Sequence, residues 1–228
     1  GEGNNVTVNV RLGLNAAAVP ATISGNLNLG SATRTFTVND GPGTSELDIS
    51  AAISGSGGLT KAGTGRLVLG GDNAYGGTTT INAGVLQIRH ADGLGVTGAA
   101  TTTSVASGAS LEIAVAGVNT IDNENLDIIG YGIVNGPQTA YYTGVLGTGA
   151  LRNVSGDNAW AGTVRLNGGD SSIDVAAGTT LTLANALNQN GTRSVVKTGP
   201  GTLEFSGSTA NTYTGNTLVN EGALLLNK

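Results

Sequence analysis

Apolar and polar residues alternate with a period of two along most of the chain. "NVTVNV" from Asn5, "RLVLG" from Arg66, "TTINAGVLQI" from Thr79, "SLEIAV" from Ser110 and "TLTLA" from Thr180 all do so. Strict alternation places every second side chain on one face of an extended strand, so each run predicts a half-buried β-strand. Clusters of Gly, Asn and Asp interrupt the runs every ~8–12 residues, the spacing of all-β architecture. "LNAAAVPA" around Ala17 is the Ala-rich exception, and Pro20 stops it early. The pattern therefore predicts little or no α-helix.

The strands belong to repeats. "GLTKAGTGRLVLGGDNAYGGTTTINAGVLQI", Gly58 to Ile88, returns as "SVVKTGPGTLEFSGSTANTYTGNTLVNEGALLL", Ser194 to Leu226. Lys61, Gly63, Gly65, Leu67 and Gly71 match Lys197, Gly199, Gly201, Leu203 and Gly207. After a short insertion near Ser208, Asn73, Tyr75, Gly77 and Thr79 match Asn211, Tyr213, Gly215 and Thr217. Asn82, Gly84 and Leu86 match Asn220, Gly222 and Leu224. A degenerate copy over 147–169 sets Leu151, Asn158, Trp160, Leu166 and Asn167 against Leu67, Asn73, Tyr75, Ile81 and Asn82. "VASGASLEI" from Val105 also resembles "VAAGTTLTL" from Val175, and Leu47, Ile49 and Ile53 precede the first copy as Leu181, Leu183 and Leu187 precede the second. Short strands in repeats predict one β-solenoid over 1–228, because a coil buries its apolar face only against the coils above and below. At ~20–25 residues per coil and ~4.8 Å per step, the rod has about ten coils and is roughly 50 Å long.

Composition narrows the core. Aromatics are 4% of the chain and hydrophobic residues 39%, so Val, Ile, Leu and Ala fill the interior. Glycine contributes 39 residues without a Gly-X-Y period, which excludes collagen. The net charge of −5 leaves no basic footprint for nucleic acid, and no apolar run reaches the ~18 residues of a membrane-spanning helix. No membrane insertion of this segment is expected. Without Cys there is neither a disulfide framework nor a thiolate metal site. A chain that starts at Gly1 without Met is expected to be a processed product or a piece of a longer one.

The long repeat resembles the autotransporter-associated β-strand repeat, also called the passenger-associated transport repeat. The pattern is G-L-x-K-x-G-x-G-x-L-x-L, then N-x-Y-x-G, then T-x-I/V-N-x-G-x-L. Pro200 and the insertion near Ser208 depart from it in the second copy, and the middle copy lacks the Lys-containing lead. The resemblance implies a secreted, right-handed parallel β-helix of a bacterial surface, reached after removal of a signal segment. It implies no particular activity.

Candidate chemistry is sparse. His90, the single histidine, stands beside Arg89 at a strand end, as solvated corner residues do. Asp122, Glu124 and Asp127 in "IDNENLD", and Glu46 and Asp48 in "SELD", are the carboxylates a polysaccharide-cleaving β-helix could use. Neither group repeats, so they read as a polar turn and a solvated face. Asp170 in "NGGDSSID" is an isolated echo of a calcium-binding nonapeptide. No cofactor, metal or catalytic residue is assigned. Tyr75, Trp160 and Tyr213 share one motif position, where they either stack on sugar rings or cover coil corners. Asn82, Asn167 and Asn220 either pair their amides coil to coil or make Asx turns.

Both ends read as strands without a helical or charged cap. The strand at Val6, Val8 and Val10 and the strand at Leu224 and Leu226 are therefore expected to pair with neighbouring copies end to end. A non-enzymatic, self-assembling extracellular fibre or sheath subunit follows from that. The other structural reading is a stalk or adhesin segment of an autotransporter passenger, meeting a host or environmental surface. A polysaccharide-active enzyme is the third reading.

Overall fold

The computed structural model describes residues 19–41, 44–96, 101–122, 124–133 and 147–228. Its strands in chain order begin with β1 (Ala21–Ile23), β2 (Asn26–Asn28), β3 (Arg34–Thr37), β4 (Leu47–Ile49), β5 (Ala52–Ser54), β6 (Leu59–Ala62) and β7 (Arg66–Leu69). Next come β8 (Thr79–Ile81), β9 (Gly84–Ile88), β10 (Thr102–Val105), β11 (Ala109–Ile113), β12 (Val118–Ile121), β13 (Asn125–Gly130), β14 (Leu151–Asn153) and β15 (Asp157–Trp160). Last are β16 (Val164–Val175), β17 (Thr180–Leu183), β18 (Leu187–Asn190), β19 (Val195–Thr198), β20 (Thr202–Ser206), β21 (Thr217–Val219) and β22 (Ala223–Asn227). The described residues contain no helix.

Every strand pairing is parallel, and partners lie one coil apart. The chain winds round three faces in a fixed order. Face 1 carries β1, β4, β7, β9, β11, β14, the C-terminal half of β16, β19 and β21. Face 2 carries β2 and β5, then β12, β15, β17, β20 and β22. Face 3 carries β3, β6, β8, β10, β13, the N-terminal half of β16 and β18. The described residues form a parallel β-solenoid of about 8 turns. The ten coils expected count all 228 residues, of which 1–18 lie outside the described ones. Most coils take between 19 residues (Leu67 to Leu86) and 26 (Ala21 to Leu47), but Leu111 pairs with Leu151, 40 residues on. The surplus is an excursion after β13, part of which, 134–146, lies outside the described residues. The strand predicted at Val6, Val8 and Val10 also lies outside them.

Alternation decides what fills the interior. Leu67, Leu86, Leu111, Leu151 and Ile173 stack directly over one another on face 1, and Leu181 and Leu203 do so on face 2. All are at most 1% exposed. Burying one such side chain stabilises the fold by about 1.5–3 kcal/mol, so a column of them binds coil to coil. "TTINAGVLQI" is two strands rather than one: β8 lies on face 3 and β9 on face 1, with Asn82 and Ala83 at the corner.

One long repeat makes a two-storey block. β6 pairs with β8 and β7 with β9, so the second half of the motif sits on the first half. The second copy does the same with β19 on β21 and β20 on β22. The two copies do not share faces, however. The first places β6 and β7 on faces 3 and 1, and the second places β19 and β20 on faces 1 and 2. Five pairing steps separate Leu67 from the level of Lys197, and the block is turned one face further round. Val105 and Leu111 on faces 3 and 1 likewise become Val175 and Leu181 on faces 1 and 2.

Candidate functional site

The lysine and asparagine of the repeat's signature brace neighbouring coils. Lys61 follows the inward alternation of β6 and is fully buried. Its Nζ donates to the carbonyl oxygens of Ala62 (3.0 Å), Gly63 (2.7 Å) and, one coil up, Ala83 (3.0 Å). Lys197 repeats this with Thr198 (2.7 Å), Gly199 (2.6 Å) and Glu221 (3.1 Å). Three carbonyls occupy the three donors of an ammonium, which is how a buried charge survives without a carboxylate in contact. Burial nonetheless lowers the Lys61 amine to about 8, against the opposing charge of Glu46. Lys197 is lowered for the same reason, with Asp174 and Glu221 acting the other way.

Asn73 joins three levels. Its Oδ1 accepts from the Ile53 amide below (2.9 Å) and its Nδ2 donates to the Gly93 carbonyl above (2.8 Å). Asn211 accepts from the Leu187 amide (2.9 Å) and from Lys228 Nζ (2.9 Å). Lys228 also donates to the carbonyls of Asn185 and Thr209. The Tyr75 hydroxyl shares a 2.6 Å hydrogen bond with Thr79, and Tyr213 pairs with Thr217 in the same way. Burial pushes the Tyr75 phenol well above its ordinary value. Glycine matters where the two storeys touch. A Cβ on Gly84 (φ +68°) would stand 2.5 Å from the Gly65 oxygen, and on Gly222 (φ +73°) 2.3 Å from the Gly201 oxygen.

Several expectations need correction. Tyr75 and Trp160 are 0% exposed and lie inside the coil, so they neither stack on sugars nor cover corners. Tyr213 is half-buried on the core, and the three aromatics form no row. The Trp160 indole donates to the Glu124 carbonyl (2.7 Å), and Asn158 donates to Asn153 (2.8 Å) and Val115 (3.3 Å). The middle copy thus keeps the positions and braces the coil below through different partners. Asn82 and Asn220 are exposed corner residues whose backbone amides donate to Lys61 and Lys197. They do not stack, because repeat copies are several coils apart while a ladder needs adjacent coils. Asn167 does form a ladder, with Asn190 (3.2 Å) and Asp127 (3.0 Å).

Three of the five candidate carboxylates, Glu46, Glu124 and Asp127, are buried and so are not part of a solvated face or an open turn. Glu46 is 2% and Glu124 1% exposed. Glu46 accepts from the Arg66 backbone amide. Glu124 accepts from the hydroxyls of Thr103 (2.7 Å) and Thr101 (3.1 Å), yet burial raises its proton affinity above the ordinary carboxylate. Alternation could not reveal this, since both residues sit outside their strands in the turns before them. Asp127 chelates the Arg165 guanidinium, and Asp170 accepts from the Ser194 amide (2.7 Å). Asp122 is exposed. At the predicted interface, Leu224 is half-buried on the core and Leu226 is 72% exposed.

On the outside of face 1, a polar file runs coil to coil. Gln87 donates to Glu112 (2.9 Å), Arg66 and Arg152 both bind Glu112, and Arg152 also binds Asp174 (2.9 Å). Arg89 closes the lower end on Asp48 (3.0 Å). Beside it opens a cleft of about 500 Å³ lined by Asp40, Glu46, Arg66, Gln87, Arg89 and Ile133. Cations and carboxylates in the file neutralise one another, so this face is braced rather than charged for an ionic ligand.

The passenger-associated-transport-repeat family matches residues 59–88 and 195–226, the two blocks described above. Over 90 residues, 39% of this chain, the sequence is 41% identical to the adhesin BmaC autotransporter of Brucella suis biovar 1 (strain 1330). The match covers 2% of that protein's length. No solved structure matches the chain.

Proposed function

We propose that the chain is a length of stalk from the passenger of an autotransporter-like surface protein: a non-enzymatic β-solenoid spacer outside the cell. The observation that carries this is the destination of the repeat's signature residues. Lys61 and Asn73 bond neighbouring coils, as do Lys197 and Asn211, while Tyr75 with Thr79 and Tyr213 with Thr217 close hydrogen bonds within their own coil. A repeat with this wiring propagates a rod and leaves recognition to whatever the rod carries. The family match and the adhesin relative favour this over a self-assembling fibre.

The test is surface display. The chain is fused ahead of an outer-membrane β-barrel translocator in a Gram-negative host. Folded, protease-resistant chain on the cell surface supports the reading. Failure to reach the surface, with the same translocator exporting a control passenger, sinks it.

A further inference from the structure

The turn after β9 carries a donor set that the repeat does not require. Gly93 donates to the His90 carbonyl (3.0 Å), Gly95 to the Asp92 carbonyl (3.1 Å), and the Asp92 amide to His90 Nδ1 (3.2 Å). This holds His90 and Asp92 side by side, with Nδ1 3.5 Å from an Asp92 carboxylate oxygen. Asp72 reaches the same place from the coil below. The neighbouring Asn73 donates its backbone amide to the Asp92 carbonyl (3.2 Å) and its side chain to Gly93, so the two coils are held in register at this corner. One imidazole nitrogen and two carboxylate oxygens therefore lie within 4.8 Å of one another on two coils. In the second copy the position of Asp72 is Ala210, and the brace made by Asn211 forms without it.

We propose that Asp72, His90 and Asp92 bind one divalent transition-metal ion of the zinc class, pinning adjacent coils together outside the first repeat block. The donors decide the class. Imidazole with two carboxylates suits borderline ions, which take about 2.0–2.2 Å bonds to three or four ligands. Calcium and magnesium favour all-oxygen shells of six or more ligands. Ligands about 2.1 Å from a common ion stand about 3.4 Å apart in a tetrahedron. Rotation of the exposed Asp72 and Asp92 side chains closes the remaining gap, the imidazole lone pair exchanges the Asp92 amide for the ion, and water completes the shell. Nearby Arg89 is held by Asp48 and Gln87 and does not neutralise the pair. The site rests on this corner's geometry and not on the stalk reading.

Chelator-treated protein is titrated with zinc chloride by calorimetry, with calcium chloride as counter-probe. The expected result is one saturable zinc site per chain, weakened at least ten-fold by His90→Ala and by Asp72→Asn. Far-UV circular dichroism of both variants should be unchanged, since the side chains are partly exposed. Cobalt chloride should give a visible d–d band that zinc bleaches in the parent and that both variants lack. No saturable zinc binding by the parent overturns the proposal, and so does parent-like affinity in either variant. Calcium binding as tight as zinc overturns the metal class.

Discussion

A buried lysine amine costs free energy that three carbonyls only partly return, and its pH dependence shows the balance. Burial holds the Lys61 amine at about 8 in the folded chain, against 10.5 for an ordinary lysine. The unfolded chain therefore binds more protons than the folded one between these values, and stability contributed by this group rises with pH across that window. The rise is worth about 3 kcal/mol. The measurement is the stability of the parent relative to Lys61→Met from pH 7 to 10.5, where the parent is expected to gain. A pH-independent difference would contradict it. Glu124 has the opposite sign. Its folded carboxyl is raised, so its penalty is fully present above the folded value and disappears as pH falls through it towards the unfolded one. Glu124→Gln should therefore melt higher than the parent at pH 7, and the advantage should vanish below the ordinary carboxylate range.

Strands here are only three to six residues long, apart from β16, which crosses a corner and serves two faces. Such elements hold only when the corners between them are right. Gly84 and Gly178 both have positive φ, +68° and +71°. A Cβ on Gly84 would collide with two carbonyl oxygens of the storey below, while a Cβ on Gly178 would meet nothing beyond its chain neighbours within 4 Å. Gly178→Ala is expected to cost about 1 kcal/mol, the strain of the conformation alone. Gly84→Ala adds the displacement of packed backbone and is expected to cost more than about 2 kcal/mol. Urea unfolding of the two variants measures the contrast, and equal costs would mean that coil contact does not set this glycine.

Across the described solenoid, backbone pairing joins only adjacent coils and side-chain ion pairs reach at most two coils, so damage should stay local. Asn73→Ala leaves the Ile53 amide and the Gly93 carbonyl without their partner, at about 1–3 kcal/mol for each buried group. Native-state hydrogen exchange should quicken in the coils of β5 to β9 and stay at parent rates in β17 to β20. Uniform loss of protection would indicate a single cooperative unit instead. About eight turns at ~4.8 Å give the described residues a rod near 40 Å, one coil of which holds 40 residues.

Period-two alternation, glycine punctuation and the repeated block determined the strands, the parallel solenoid and the inward columns of Leu and Ile. Those follow from local geometry, which a sequence states directly. The sequence also marked Lys61, Asn73, Tyr75 and Thr79 as recurring, but not what they do. The partners of Lys61 and Asn73 lie about 20 residues away on other coils, at Ala83, Ile53 and Gly93, and in the sequence those pairs carry no common mark. Tertiary structure alone decided that Glu46 and Glu124 are buried, since both precede their strands and are covered by other coils. It also decided that Asp72 meets His90 and Asp92 across a coil boundary. Above all it decided that the second block is turned one face from the first. Repeat spacing counts residues, whereas face position counts corners, and coils of 19 to 40 residues break any fixed relation between the two.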